Sequence, residues 1–220
     1  IHNYSSAENS YINNTIGAVE DSLGILYFCS RGGVNIFDGV NWETIFLPEK
    51  RLARSITIDE KNKVYVGAFG EMGYLEADYY GKMKYVSLMH KLDEKYRNIT
   101  EVWETLATSK GIYFRTKENI FLWTGKKFKI WPPEGEQAYR CYVVNDTLYT
   151  RIKGKGLVYM NGDKLELVNG GEAFTDDGVM ALTPNGGGGL VAGTYRKGFF
   201  SQQNKKIFYG PNELCEIRFC

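Results

Sequence analysis

Residues 22–39 read SLGILYFCSRGGVNIFDG: an apolar run, the kink Arg31-Gly32-Gly33, a second apolar run and the turn Asp38-Gly39. Four further stretches follow the same grammar: NKVYVGAFGEMGYLEAD from Asn62, KGIYFRTKENIFLWTG from Lys110, DTLYTRIKGKGLVYMNGD from Asp146 and GGLVAGTYRKGFFSQQNKK from Gly188. Aligned on Tyr27, Tyr65, Tyr113, Tyr149 and Val191, the copies lie 38, 48, 36 and 42 residues apart. That is near the ~40–50 residues of one four-stranded blade in a repeat architecture.

Working outward from the first copy, each unit resolves into four strands. IGAVE from Ile16 precedes the turn DSLG, then come ILYFCS, VNIF and, after Asp38-Gly39, NWETIFL. Asp-Gly between apolar runs signals a hairpin because both residues tolerate positive φ. The later units repeat the pattern, and the second is lengthened by residues 88–98, where a short helical turn is expected. No segment shows a long 3.6-residue period. The expected fold is all-β, a β-propeller with about five four-stranded blades at residues 16–49, 54–92, 101–134, 138–172 and 178–210. Such blades are stable only when stacked on neighbours, and the recurring tyrosines are expected to pack between them. Residues 213–220, ending NELCEIRFC, read as the start of a further blade or a closing strand, so these blades are expected to be part of a larger propeller.

The totals narrow the function classes. With 43% hydrophobic and 24% charged residues, the chain is too apolar to be disordered. It has 16 Tyr, 12 Phe and 25 Gly but only 5 Pro, a mixture suited to short strands and tight turns. A net charge of +1 and the lack of any basic run argue against a nucleic-acid partner. No stretch approaches the ~20 apolar residues of a membrane helix, so membrane contact is expected only through a downstream segment outside this stretch. The N-terminal IHNYSSAENSY has no basic or apolar region of a signal peptide, and any such peptide is expected to have been removed.

Catalytic patterns are sparse. Cys29, Cys141, Cys215 and Cys220 form no C-x-x-C pair and only His2 and His90 accompany them, so no zinc pattern assembles and no cofactor is expected. Cys29 and Cys141 lie in apolar runs and read as buried thiols. G-x-S-x-G, H-E-x-x-H and the calcium-loop pattern do not occur. The run Gly186–Gly189 reads as a turn within the fifth unit. Asp176-Asp177 and Glu101/Glu104 read as solvated charge, and His90 as a surface histidine.

One constellation stands out. The turn between the second and third strands of each blade shares a face with the segment leading into the first strand, a common ligand face in propellers. Those turns carry Arg31, then Phe69 and Glu71, Lys117, Lys153 and Lys155, and finally Tyr195 and Arg196. Cations around a mouth would focus field on an anionic ligand. Arg grips carboxylate or sulfate in bidentate fashion, and Phe69 or Tyr195 could stack on a sugar ring. The competing reading is that hairpin turns carry Lys and Arg for solubility alone.

The stretch IGAVEDSLGILYFCSRGGVNIFDGVNWETI, with KVYVGAFGEMGYLEAD and LVAGTYRKGFF, resembles the two-component regulator propeller repeat. The resemblance spans about residues 16–209. Tyr or Val stands where the repeat usually has Trp, and units three and four read FRT and TRI in place of its Gly-Thr. It implies a periplasmic, non-catalytic sensor region of Bacteroidetes-type regulators, followed by an immunoglobulin-like domain, a membrane helix, and a histidine kinase or DNA-binding output. It further implies perception of a glycan-like ligand, expected here to be an acidic oligosaccharide or another small molecule, or a homodimer contact through a propeller edge or face. Two alternatives stand beside this sensory reading: a protein-interaction platform, and a propeller glycosidase or lyase.

Overall fold

A computed structural model describes residues 15–132, 138–186, 188–203 and 206–210, and of residues 202, 203 and 206–210 it describes the backbone. Residues 1–14, Cys215, Cys220 and the expected strand at 213–220 lie outside the described residues. The chain divides into two compact units, Ile1–Pro132 and Pro133–Cys220.

The first unit holds three sheets. The first comprises β1 (Gly17–Glu20), β2 (Leu26–Ser30), β3 (Gly33–Phe37) and β4 (Trp42–Phe46). The second comprises β5 (Ala53–Ile58), β6 (Val64–Ala68), β7 (Glu71–Ala77) and β8 (Met83–Ser87), and the third β9 (Glu104–Thr108), β10 (Gly111–Arg115), β11 (Ile120–Trp123) and β12 (Phe128–Trp131). The second unit holds two: β13 (Ala138–Val144), β14 (Thr147–Ile152), β15 (Gly156–Asn161) and β16 (Lys164–Leu167), then β17 (Val179–Pro184), β18 (Leu190–Thr194), β19 (Phe199–Gln203) and β20 (Lys206–Gly210). All five are antiparallel meanders in strand order, each a blade of the expected four-stranded kind. The 88–98 insert contains two 3-10 turns, Met89–Lys91 and Glu94–Tyr96.

Burial shows why the blades need one another. Every residue of β3, β6 and β11 is buried, whereas β4, β8 and β12 are mostly half-exposed. A strand buried on both faces reads as a near-continuous apolar run, as in VYVGA and IFLW. Tyr27, Val34 and Ile36 of the first blade pack with Val64, Val66 and Leu75 of the second. Tyr65 and Met72 of the second blade pack with Phe114, Phe121 and Trp123 of the third. Phe114 and Phe121 are 0% exposed, and each such ring contributes about 1.5–3 kcal/mol through burial. In the second unit, Val144 and Leu157 of the fourth blade meet Leu190, Ala192 and Phe200 of the fifth around Phe174.

The approach of β6 to β9 is tight enough to require glycine. A Cβ on Gly67 would lie 2.4 Å from Val102 Cγ1 and 2.5 Å from Ser55 Oγ. Beside it Ser55 donates to the Val102 carbonyl at 2.9 Å and bonds the Thr105 hydroxyl at 2.7 Å, joining adjacent blades by a buried polar seam.

Two of the recurring tyrosines have a second task. Asp21 accepts the amides of Leu23 (2.9 Å) and Ile25 (3.0 Å), and its other oxygen accepts the Tyr27 phenol at 3.1 Å. Asp59 repeats the arrangement with the amides of Lys61 and Lys63, both at 2.9 Å, and with the Tyr65 phenol. Burial first, and the aspartate second, push both phenols up to about 12. Tyr27, Tyr65 and Tyr113 are buried and Tyr149 is half-buried, and Tyr27, Tyr65 and Tyr149 pack in clusters that join adjacent blades. Cys29 is a buried free thiol and Cys141 is also buried.

Candidate functional site

In the first unit, the turns between second and third strands do share a face with the segments leading into first strands. The β6–β7 turn makes this plain. Phe69 donates its amide to Leu52 O at 3.2 Å, Gly70 to Thr100 O at 2.7 Å, and Val102 donates back to Ala68 O at 3.1 Å. Phe69 and Glu101 form an antiparallel bridge. Arg51 steadies the turn from below, donating to Gly70 O at 2.5 Å while pairing with Glu49 at 2.9 Å.

This lacing assembles a group that the sequence reading missed. Arg54 Nε meets Glu101 Oε1 at 3.0 Å, and the Arg54 guanidinium lies 4.4 Å from the centre of the Trp103 ring. Trp103 is 41% exposed and Phe69 60% exposed. Two exposed aromatics, a stacked guanidinium and a carboxylate therefore border one patch. Such a set offers a ring face to a sugar and donors and acceptors to its substituents. Arg54 is placed there by a bulge between Ala53 and Ser55, where β5 slips relative to β6. Bulges re-aim side chains in this way.

The second unit uses the same device. Bulges between Ala138 and Cys141, and between Val179 and Ala181, turn out Tyr139, Arg140 and Met180. Tyr139 is 42% and Met180 46% exposed. Arg140 donates to Met180 O at 3.3 Å. Arg151 lies 4.8 Å from the Tyr139 ring centre and donates to the carbonyls of Phe174 (2.9 Å) and Thr175.

The residues singled out from the sequence fare differently. Arg31, Lys117 and Lys153 are exposed on their turns and have no ion pair among the described residues. Lys155 is exposed but donates its ammonium to Leu165 O at 3.3 Å. Tyr195 is 75% exposed. Arg196 pairs with Asp177 at 3.5 Å and donates to the Asp176 carbonyl, so its guanidinium is partly engaged within the turn. Glu71 is not on the surface of its turn at all. It is 5% exposed, and its Oε1 accepts Ser87 Oγ at 2.7 Å, the Met72 amide at 3.0 Å and the Tyr85 phenol at 3.2 Å. Burial pushes its carboxyl above the usual range despite these donors and the nearby Arg51. Glu71 holds β7 to β8 and the turn above them.

Three of the four carboxylates expected to be solvated are also structural, whereas Asp176 is exposed. Glu104 pairs with Arg115, and Glu101 with Arg54. Asp177 is 1% exposed, shielded by the turn it holds: it accepts the amides of Gly178 at 2.9 Å, Arg196 at 3.2 Å and Lys197 at 3.0 Å. Desolvation pushes this carboxyl up, but the amide of Arg196, the hydroxyl of Thr194 and the other two amides outweigh it and hold the group below the usual carboxylate range. Asp177 therefore presents Tyr195 and Arg196. His90 is exposed, and the glycine run lies in the β17–β18 turn, with Gly187 outside the described residues. Among the described residues no cluster of three metal-ligating side chains occurs, and no helix is long and apolar enough to cross a membrane.

Five antiparallel four-stranded meanders, packed blade on blade within each unit, give the chain the fold of a β-propeller. No family model matches the chain, and no curated protein matches it. Solved structures do. The chain is similar to virginiamycin B lyase from Staphylococcus aureus, with a TM-score of 0.62 at 11% identity over 92% of this chain and 73% of the lyase. It is similar to the WD40 β-propeller domain of Doa1, with a TM-score of 0.62 at 12% identity over 90% of this chain and 68% of that domain. It is also similar to the extracellular domain of a putative hybrid two component system from B. thetaiotaomicron, with a TM-score of 0.56 at 13% identity. That match covers 90% of this chain and 28% of the domain, so the chain spans little more than a quarter of its length. The neighbours thus include the kind of sensor that the repeat motif resembles. At these identities the likeness is one of fold.

Proposed function

We propose that this chain is a ligand-binding, non-catalytic sensory part of a signalling receptor, situated outside the cytoplasm, and that its mouth turns take an acidic oligosaccharide. The observation that carries the reading is the patch of Phe69, Trp103, Arg54 and Glu101, held rigid by the hydrogen bonds of the β6–β7 turn. A flat ring face beside a guanidinium suits a sugar bearing carboxylate or sulfate. Arg31 and Lys117, exposed and without an ion pair among the described residues, lie on turns at the same end of their sheets and add positive potential there. The repeat motif, together with the fold shared with an extracellular sensor domain, supports the receptor role. Glu101, Glu104 and Asp177 each sit in an ion pair, which favours binding over acid–base turnover. Calorimetry against a panel of uronate and sulfated oligosaccharides tests this. One member should bind, with affinity reduced at least tenfold in Trp103→Ala and less in Arg31→Ala. Full affinity in both variants would remove the proposal.

A second reading, a homodimerising platform, draws on one observation. The β7–β8 hairpin tip carries Tyr79 and Tyr80, 95% and 90% exposed and packed edge-to-face 5.4 Å apart. Light scattering separates the two. A stable ligand-free dimer that Tyr79→Ser with Tyr80→Ser disperses would favour the platform.

A further inference from the structure

The opposite end of the first unit's blades holds a cleft of about 230 Å³ between the second and third sheets. The turn at Asp59–Lys61 forms one wall, the turns at Thr108–Gly111 and Thr124–Gly125 the other, and Tyr65 and Trp123 the floor. Most polar groups there are already engaged. Asp59 is turned onto two amides and a phenol, Thr108 donates to Gly111 O at 3.0 Å, and Thr124 donates to Lys127 O at 2.9 Å. Lys61 and Lys110 are different. Both are exposed on the rim, from opposite walls, and neither has an ion pair among the described residues. Glu60 is the other lining charge without an ion pair among the described residues, so the rim carries two ammonium groups and one carboxylate.

The geometry points to a second ligand site in this cleft, for a compact organic carboxylate with a flat apolar body. The carboxylate sits between Lys61 and Lys110, where charge-assisted hydrogen bonds from two walls hold it. The body lies against Tyr65 and Trp123. The cleft is smaller than the ~300–1,000 Å³ of drug-sized sites, so its occupant is about one ring in size. This site is independent of the oligosaccharide reading, because it shares no residue with the Phe69–Trp103 patch and lies at the other end of the sheets.

Calorimetry on the whole chain with benzoate, benzamide and inorganic sulfate tests the assignment. Benzoate should bind saturably, with benzamide and sulfate each at least tenfold weaker. Lys61→Gln with Lys110→Gln should reduce benzoate affinity at least tenfold while leaving the far-ultraviolet circular dichroism and the melting temperature in place. Lys84→Gln, exposed on β8 and absent from the lining of the cleft, should change nothing. The absence of saturable benzoate binding at millimolar concentration, or full affinity in the double variant, overturns the site. Sulfate binding as tightly as benzoate overturns the role of the flat body.

Discussion

Replacing Asp177 with alanine should collapse the turn that presents Tyr195 and Arg196. The carboxylate is 1% exposed and receives the amides of Arg196 and Lys197 and the Thr194 hydroxyl. Hydrogen bonds to a charged acceptor contribute about 1.5–3 kcal/mol each. Arg196 and Lys197 are exposed, so their amides find water once the carboxylate is gone, and each loss falls at the low end. The two amide bonds together should cost about 3 kcal/mol. For a chain of this size that corresponds to a fall in melting temperature of about 6–12 °C. Asp177→Asn keeps one acceptor oxygen and should cost about half as much. Urea unfolding gives the free energies, and amide hydrogen exchange at residues 196 and 197 shows where the loss occurs. A cost under about 0.5 kcal/mol, or undiminished protection of those two amides, would refute the reasoning.

Other outcomes follow from neighbouring features. Because Asp177 titrates below its unfolded value of about 3.9, its contribution is complete above that pH and is lost as pH falls through the folded value. Exchange at residues 196 and 197 should therefore accelerate below about pH 4 and stay flat near pH 6. Glu71 has the opposite sign: its folded value is raised, so its contribution is full below about pH 4.3 and lost as pH rises through the folded value. Glu71→Gln should hold or raise stability at pH 8 in chemical denaturation, whereas Glu71→Ala, which strands Ser87 and Tyr85, should lower it by about 1–3 kcal/mol. Gly67→Ala should destabilise by about 1–3 kcal/mol through overpacking against Val102 and Ser55, measured by thermal melting.

The fold was legible because strand and turn chemistry are local. Asp38-Gly39 marks a hairpin whatever surrounds it, and the glycine has φ of +97°. The tyrosines where the repeat motif has tryptophan find a physical reason in the structure, since a phenol at Tyr27 or Tyr65 reaches the aspartate six residues earlier. The turns bearing Arg31, Phe69, Lys117 and Tyr195 were also local features. Arg54, Glu101 and Trp103 were not, because their meeting depends on a bulge in one blade and on the segment leading into the next. A polar residue breaking the alternation at the start of a first strand, as Arg54 does in ARSITI, is the signal that could have found it. Glu71 and Asp177 eluded the reading because burial of a carboxylate is decided by its donors. Those donors lie 14 and 16 residues away for Tyr85 and Ser87, and 19 and 20 for Arg196 and Lys197.

Amide chemical-shift mapping of the chain during titration with an acidic oligosaccharide that it binds tests the central claim most directly. The account predicts shifts concentrated at residues 52–54, 69–71 and 100–104. Shifts confined to the outer strands β4, β8 and β12, with those three segments unmoved, would contradict it.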